Sequence, residues 1–280
     1  MDIRSITPEE LRGRHDLAWA SDLRDHWRSQ AAVVAEADSE VLGIVSWRES
    51  SLHQCRLWVT VDVHPRHRRE GIASALIAQA LRLRPSHRPF AIKAAAGSAT
   101  AALFESMGAR PYQSCPPAIV VAQRSAMTAR PDMEIGSTLR IDTLVDAFVD
   151  MYEWVHQSWS PISSRRRARE IFEPDLAETL DLELSSFVVD DDRKILAGAW
   201  VFRPETPGKS PEGVAESTTP TLVEGVSLVD AAVRNSLSRA AIRGERAIQF
   251  DCHDSDPHMR EVLSGLSGVS GTQTLLLELD

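Results

Sequence analysis

The chain has 280 residues, 43% hydrophobic and 25% charged, which is the composition of a globular protein and length enough for two domains of roughly 130 residues each. No apolar run approaches the roughly 18 residues of a membrane span, and the opening "MDIRSITPEE" has neither the basic start nor the apolar stretch of a signal peptide, so the expectation is a cytoplasmic protein with no membrane association. A formal net charge of −9 disfavours unspecific nucleic-acid binding and mildly favours cationic partners such as amines, and the three scattered cysteines, Cys55, Cys115 and Cys252, indicate neither a disulfide framework nor a metal site.

In chain order, "DIRSI" is a candidate strand and Pro8 to about Trp27 a helix with proline in its first turn. "AAVVAEA" and "VLGIVSW" form a hairpin across "DSE", and "CRLWVTVDV" is a third β-rich run stopped by Pro65. From Gly71 a helix follows, with Ile72, Leu76, Ile77 and Leu81 as its apolar stripe. "PFAIKAA" is a strand, "ATAALFESMGA" a short helix ending at Gly108, and "AIVVAQ" a strand closing the first half. The linker is placed in "RSAMTARPD", which gives an N-terminal domain over 1–125, a linker over 126–132 and a second domain over 133–280.

The second half repeats this order. "EIGSTLR" is a strand, 141–159 a helix carrying Trp154, and "SRRRAREIF" a second helical piece. "SSFVVDD" and "ILAGAWVF" are strands, followed by a short strand near 214–222, a helix over 227–243, the strand "AIQFDC", the helix "PHMREVLSGL" and the strand "TQTLLLEL". The duplication is visible in element order and not in residue identity.

One stretch carries chemistry. In "HPRHRREGIASALIAQALR" the cations Arg66, His67, Arg68 and Arg69 precede a helix N-terminus that is already partly positive, with only Glu70 in relief. An anion in that position turns repulsion into attraction. Gly71 admits a phosphate to the backbone, and Ala73 is small enough to do likewise.

"VTVDVHPRHRREGIASALI" resembles the acyl-CoA signature of the GNAT superfamily of N-acetyltransferases: a strand ending in V-x-P, then Q/R-x-x-G-x-G/A, then a helix. Val63, Pro65, Arg68, Gly71 and Ala73 stand at the matching positions. The resemblance implies an α/β fold of two tandem GNAT-like domains, each a mixed, mostly antiparallel sheet flanked by helices. It implies that Arg68, Arg69, Gly71, Ile72, Ala73 and Ser74 surround the phosphates of acetyl-CoA or another acyl-CoA, with Phe104 also at the cofactor. Backbone groups of Val61 and Val63 would pair with the pantetheine arm in a gap between splayed strands, and the Val63 N–H would stabilise the oxyanion.

The catalytic residues depart from the family pattern. The position eleven residues before Arg68, often glutamate, is Leu57; the family tyrosine position is Phe104, and the asparagine position is Gly97. Asp62 and His53 are the candidate bases, with a water chain as the third route. Tyr112 or Ser98 could replace the missing acid, though a thiolate leaves tolerably without one. In the second half Gly225 remains, but no arginine precedes it and Glu224 puts negative charge where phosphate would sit. That half reads as a degenerate copy, able to form an acceptor-binding wall.

The resulting expectation is an acyltransferase moving an acetyl or other acyl group from acyl-CoA to a small-molecule amine by direct attack, with no metal. Two alternatives stay open. One is an acyl-carrier protein or aminoacyl-tRNA donor, for which 64–69 and the basic "SSRRRARE" would form one track. The other is a non-catalytic acyl-CoA-binding regulatory protein. Trp154 and Trp159 around His156 are candidates for an acceptor cleft or for packing.

Overall fold

The computed structural model describes residues 1–20, 26–124, 130–204, 206, 208–222 and 224–280. The first half contains β1 (Asp2–Ile6), α1 (Pro8–Arg12), β2 (Ala31–Ala37), β3 (Glu40–Glu49), β4 (Leu57–Val63), α2 (Ile72–Leu83), β5 (Phe90–Ala95), α3 (Ala99–Ser106) and β6 (Arg110–Cys115). After β7 (Ile119–Val121) come β8 (Met133–Ile135), α4 (Ile141–His156), α5 (Arg165–Thr179), β9 (Ser186–Val189), β10 (Ile195–Phe202) and β11 (Glu212–Ser217). The chain ends with α6 (Gly225–Arg243), β12 (Ala247–Asp251), α7 (Pro257–Gly265), β13 (Val269–Ser270) and β14 (Thr274–Leu279). None of the described helices is long and apolar enough to cross a membrane.

The strands form two seven-stranded sheets, ordered β1-β2-β3-β4-β5-β14-β6 and β13-β7-β12-β11-β10-β9-β8. Both are mixed and flanked by helices, as expected, with β4–β5 and β11–β12 as parallel pairs. The compact units are Met1–Tyr112 with Leu275–Asp280, and Gln113–Thr274. This division differs from the expected 1–125, 126–132 and 133–280. Strand β7, expected to close the first half, pairs antiparallel with β12 through Ala247↔Val121 and Ile248↔Val120. The last strand of the chain takes its place in the first sheet, between β5 and β6. Leu277 and Leu279 of β14 are buried in the first core, and Val120 of β7 is buried in the second.

Two further expectations change for local reasons. Of the helix expected over Pro8–Trp27, the described residues show α1, opened by a capping box between Thr7 and Glu10 and ended at Gly13, then a 3-10 turn over His15–Leu17 and helical residues again at His26 and Trp27; residues 21–25 lie outside the described residues. "EIGSTLR" is strand only to Ile135, because Gly136 starts a 3-10 turn whose backbone bonds to Ser185 and Leu182.

In the first unit α2 buries Ile72, Leu76, Ile77 and Ala80 against Val33, Val45, Leu57, Val59 and Phe90. The opposite side of β2 and β3 buries Ala32, Val34 and Ile44 against Ile6, Leu11 and Leu17. Strand β4 therefore has one side toward α2 and the other toward the segment before β2, and the candidate site forms where it leaves β5.

Candidate active site

Strand β4 pairs antiparallel with β3 along its whole length, from Glu49↔Leu57 to Gly43↔Val63. Its parallel ladder with β5 consists of Leu57↔Phe90 and Trp58↔Ala91, and beyond Trp58 the two strands part. The Leu57 N–H donates to Pro89 O on the β5 side at 3.0 Å, while the His64 N–H donates to Leu42 O on the β3 side at 2.8 Å. Peptide groups alternate along a strand, so Val59, Val61 and Val63 turn their N–H and C=O groups toward the gap. The gap is a groove of about 1120 Å³, lined by Thr60–Val63 on one side and Ile92–Ala95 on the other.

Gly71, Ile72, Ala73 and Ser74, with Arg68 and Arg69, line the same groove at the start of α2. Gly71 is the N-cap at φ +79°, no side chain caps the helix, and its first-turn N–H groups have no intrahelical acceptor. A Cβ built on Gly71 meets nothing within 4 Å, so the approach to those N–H groups is open. Arg69 is also left-handed, at φ +70°, which bends the loop over the helix end. Arg68 Nε donates to Val63 O at 3.3 Å, tying the cation to the strand terminus. Among the described residues neither Arg68 nor Arg69 has a carboxylate partner, and the nearby ion pair is His67 with Glu70 at 3.5 Å.

The other basic run behaves differently. Arg165 pairs with Asp150 and Glu153, Arg166 and Arg167 with Glu170, and Arg169 with Asp142, Asp146 and Glu173. Its positive charge is spent on carboxylates of α4 and α5. A backbone cradle opening on unpaired arginines suits a polyanion; a neutralised helix face does not.

Residues 28–108 match the family model of the acetyltransferase (GNAT) domain. The match lies within the first unit. The whole chain has the tandem form of the fold. It superposes on a tandem GNAT protein from the clavulanic acid biosynthesis pathway with a TM-score of 0.65, 12% identity, and 99% and 98% coverage of this chain and that one. It is likewise similar to a GCN5-related N-acetyltransferase from Sphaerobacter thermophilus (TM-score 0.63, 16% identity, 99% and 95% coverage). An N-myristoyltransferase from Saccharomyces cerevisiae with bound myristoyl-CoA shares the fold at TM-score 0.52 and 9% identity, with 90% and 70% coverage. No curated protein matches the chain significantly. The whole chain thus shares the tandem GNAT fold, and the family-model match is confined to residues 28–108.

Of the residues singled out in the sequence, Val61, Val63, Asp62, Arg68, Arg69, Gly71, Ile72, Ala73 and Ser74 all line the groove of the GNAT domain, as does Ser98. Phe104 does not: its side chain is fully buried in the first core, because α3 turns this position inward while Leu103 faces the groove. Tyr112 lies on β6 with the Arg56 guanidinium 3.7 Å from its ring centroid, and it is not a lining residue. His53 is half-buried in the loop before β4 and is likewise absent from the lining.

The sequence reading missed His26 and Ser46. Both are buried, as is Asp62. His26 Nδ1 lies 2.7 Å from Ser46 Oγ and its Nε2 lies 3.2 Å from Asp62 Oδ2. Strand pairing sets Ser46 opposite Thr60, so Ser46 and Asp62 share one face of the β3–β4 ribbon and His26 spans them. Nothing local marks His26, which sits among polar residues well ahead of the motif.

The second unit has the same strand split but fills it. Strand β11 pairs with β12 from Glu212↔Gln249 to Val214↔Asp251, and past that point Glu216 is fully buried. One Glu216 oxygen lies 2.5 Å from His258 Nδ1, and the other accepts from the His258 and Met259 N–H groups at 3.3 and 3.2 Å. The carboxylate thus caps α7 from inside. His258 in turn closes the start of α6: a Cβ on Gly225 would stand 2.4 Å from its Nε2. Trp154 Nε1 donates to Ser217 O at 3.1 Å, and Trp159 Nε1 to Val155 O at 2.9 Å, so both indoles are tied down by backbone carbonyls.

Proposed function

We propose that this GNAT enzyme transfers an acetyl group, or another short acyl group, from acyl-CoA to the amine of a small molecule. The open N-terminus of α2, beside Arg68 and Arg69, which have no carboxylate partner among the described residues, carries the reading. The pyrophosphate binds the first-turn N–H groups, and the pantetheine arm follows the exposed edge of β4 by bonding to Val59, Val61 and Val63. The Val63 N–H stabilises the oxyanion formed when the amine nitrogen attacks the thioester carbonyl. The C–S bond then breaks, and the thiolate takes up the proton that the ammonium releases.

Asp62 is the base we favour, positioned by His26. Its contact with a buried imidazole, itself bonded to Ser46, supports this over His53, which does not line the groove. The negative charge of the chain favours a cationic acceptor. The neutralised arginines of α5 weigh against a tRNA or carrier-protein track. A cytoplasmic location belongs to the same proposal, and the three unbridged cysteines support it.

The test is acetyl-CoA binding by calorimetry, followed by thiol release in a screen of small amines. Binding that is lost in Gly71→Glu, together with amine-dependent release, is the expected result. Normal binding by that variant would remove the assigned site, and tight binding without turnover on any amine would leave a regulatory acyl-CoA sensor in its place.

A further inference from the structure

The second unit contains a cluster that acyl transfer does not use. Cys115, at the end of β6, and His253, just after β12, are buried, and Asp251 is exposed at the end of β12. The Cys115 thiol, one carboxylate oxygen of Asp251 and a ring nitrogen of His253 all lie within 4.8 Å of one another. Chain separation hides this grouping, since Cys115 stands far from the other two in the sequence.

The surroundings fix the geometry. Asp256, itself buried, accepts the His253 backbone N–H at 2.7 Å and lies 3.1 Å from His253 Nδ1 through the same oxygen. A carboxylate on Nδ1 holds the proton there and leaves the Nε2 lone pair as a ligand, which is the outer-shell arrangement of metal-bound histidines. The strand next to Cys115 is pinned to the same loop: the Asp254 N–H donates to Ser114 O at 2.8 Å, and Gln113 Nε2 to Ser255 Oγ at 2.7 Å. Trp159 packs tilted and His156 edge-on against His253, at ring-centroid distances of 4.8 and 5.4 Å, so aromatic rings wall the histidine side of the cluster.

We propose that Cys115, Asp251 and His253 form a binding site for a divalent ion of the zinc class. Thiolate, imidazole and carboxylate together are a borderline ligand set that suits Zn²⁺ over Mg²⁺ or Ca²⁺. Metal–ligand bonds of about 2.0–2.3 Å require the three atoms to close up by roughly 1 Å. On loading, the Cys115 S–H is replaced by an S–metal bond and its proton passes to solvent, while Asp251 and His253 each donate a lone pair. Two anionic ligands then balance the ion's charge, and a fourth position is left for water.

Zn²⁺ and Co²⁺ titrated into the metal-free full chain test this. The expected result is one tightly held ion per chain, a rise in Tm, and a thiolate-to-cobalt charge-transfer band in the near ultraviolet. Cys115→Ser should lose the band, and Cys55→Ser should keep it. Asp251→Asn changes an exposed side chain, so it should fold normally while binding Zn²⁺ at least about tenfold more weakly; Asp256→Asn should weaken binding by about 10–100-fold through the orientation of His253. A band that follows Cys55, the absence of a stoichiometric ion, or an Asp251→Asn affinity equal to wild type would each overturn the site. The acyl-CoA assays are independent of these outcomes.

Discussion

His26 Nε2 lies 3.2 Å from Asp62 Oδ2, and the pair is buried beneath the strand that edges the groove of the first unit. With Ser46 on the other ring nitrogen, the imidazole has a fixed orientation and a defined partner for each nitrogen. Asp62→Asn should lower kcat by about 10²–10⁴-fold, the usual contribution of a positioned acid or base, and leave the Kd for acetyl-CoA nearly unchanged. His26→Gln should reduce kcat less and shift the pH profile. Equal losses of donor affinity and kcat would mark the pair as structural.

Gly71 and the two arginines should separate backbone from charge effects. Gly71→Ala adds a methyl group in open space at φ +79°, so it should cost about 1–2 kcal/mol of strain and reduce donor affinity moderately. Arg68→Ala with Arg69→Ala removes charge-assisted bonds worth about 1.5–3 kcal/mol each, so acetyl-CoA should bind at least about tenfold more weakly, with a flatter salt dependence. Calorimetry at two ionic strengths reads both.

One acetyl-CoA per chain is the expected stoichiometry, because Glu216 and His258 occupy the strand split of the second unit. Two equivalent sites would refute that. Glu216→Ala leaves the buried His258 and Met259 N–H groups without their acceptor and should destabilise the protein by about 1–3 kcal/mol, measured by urea unfolding.

Leu277 comes from the end of the chain and is fully buried in the core of the first unit. Leu277→Ala should therefore destabilise the GNAT domain by about 2–5 kcal/mol and impair donor binding, although it lies far from the motif in sequence. Removal of residues 274–280 should leave β5 and β6 without their shared neighbour and abolish folding of that unit.

Glu36 reports on acid stability. Hydrogen bonds from Arg4, then Arg14, hold its carboxyl below the usual glutamate range, against the opposing effect of partial burial. A depressed folded-state pKa contributes stability that is present above the unfolded value and is lost as pH falls through the folded one. Glu36→Gln should cost roughly 1 kcal/mol at neutral pH and little at the acid end, flattening the stability profile below about pH 5.

Much of the donor site was legible in the sequence because it is local. "VDVHPRHRREGIA" encodes a strand end, a proline stop, a left-handed glycine and a helix start within a few residues, and these fix the open helix end proposed to hold the phosphates by short-range geometry alone. Tertiary structure decided the rest. The sequence separates the helix ends at Gly71 and Gly225 by charge alone, while the structure leaves one open and sets the other under His258. Phe104, expected at the cofactor, turned into the core, and His26 reached Asp62 from a segment without a motif. Strands β7 and β14 carry similar apolar runs, and which sheet each joined depended on competition among partners far apart in the chain. Periodicity specifies that a strand exists and which faces it buries; the burial available to it elsewhere determines where it pairs.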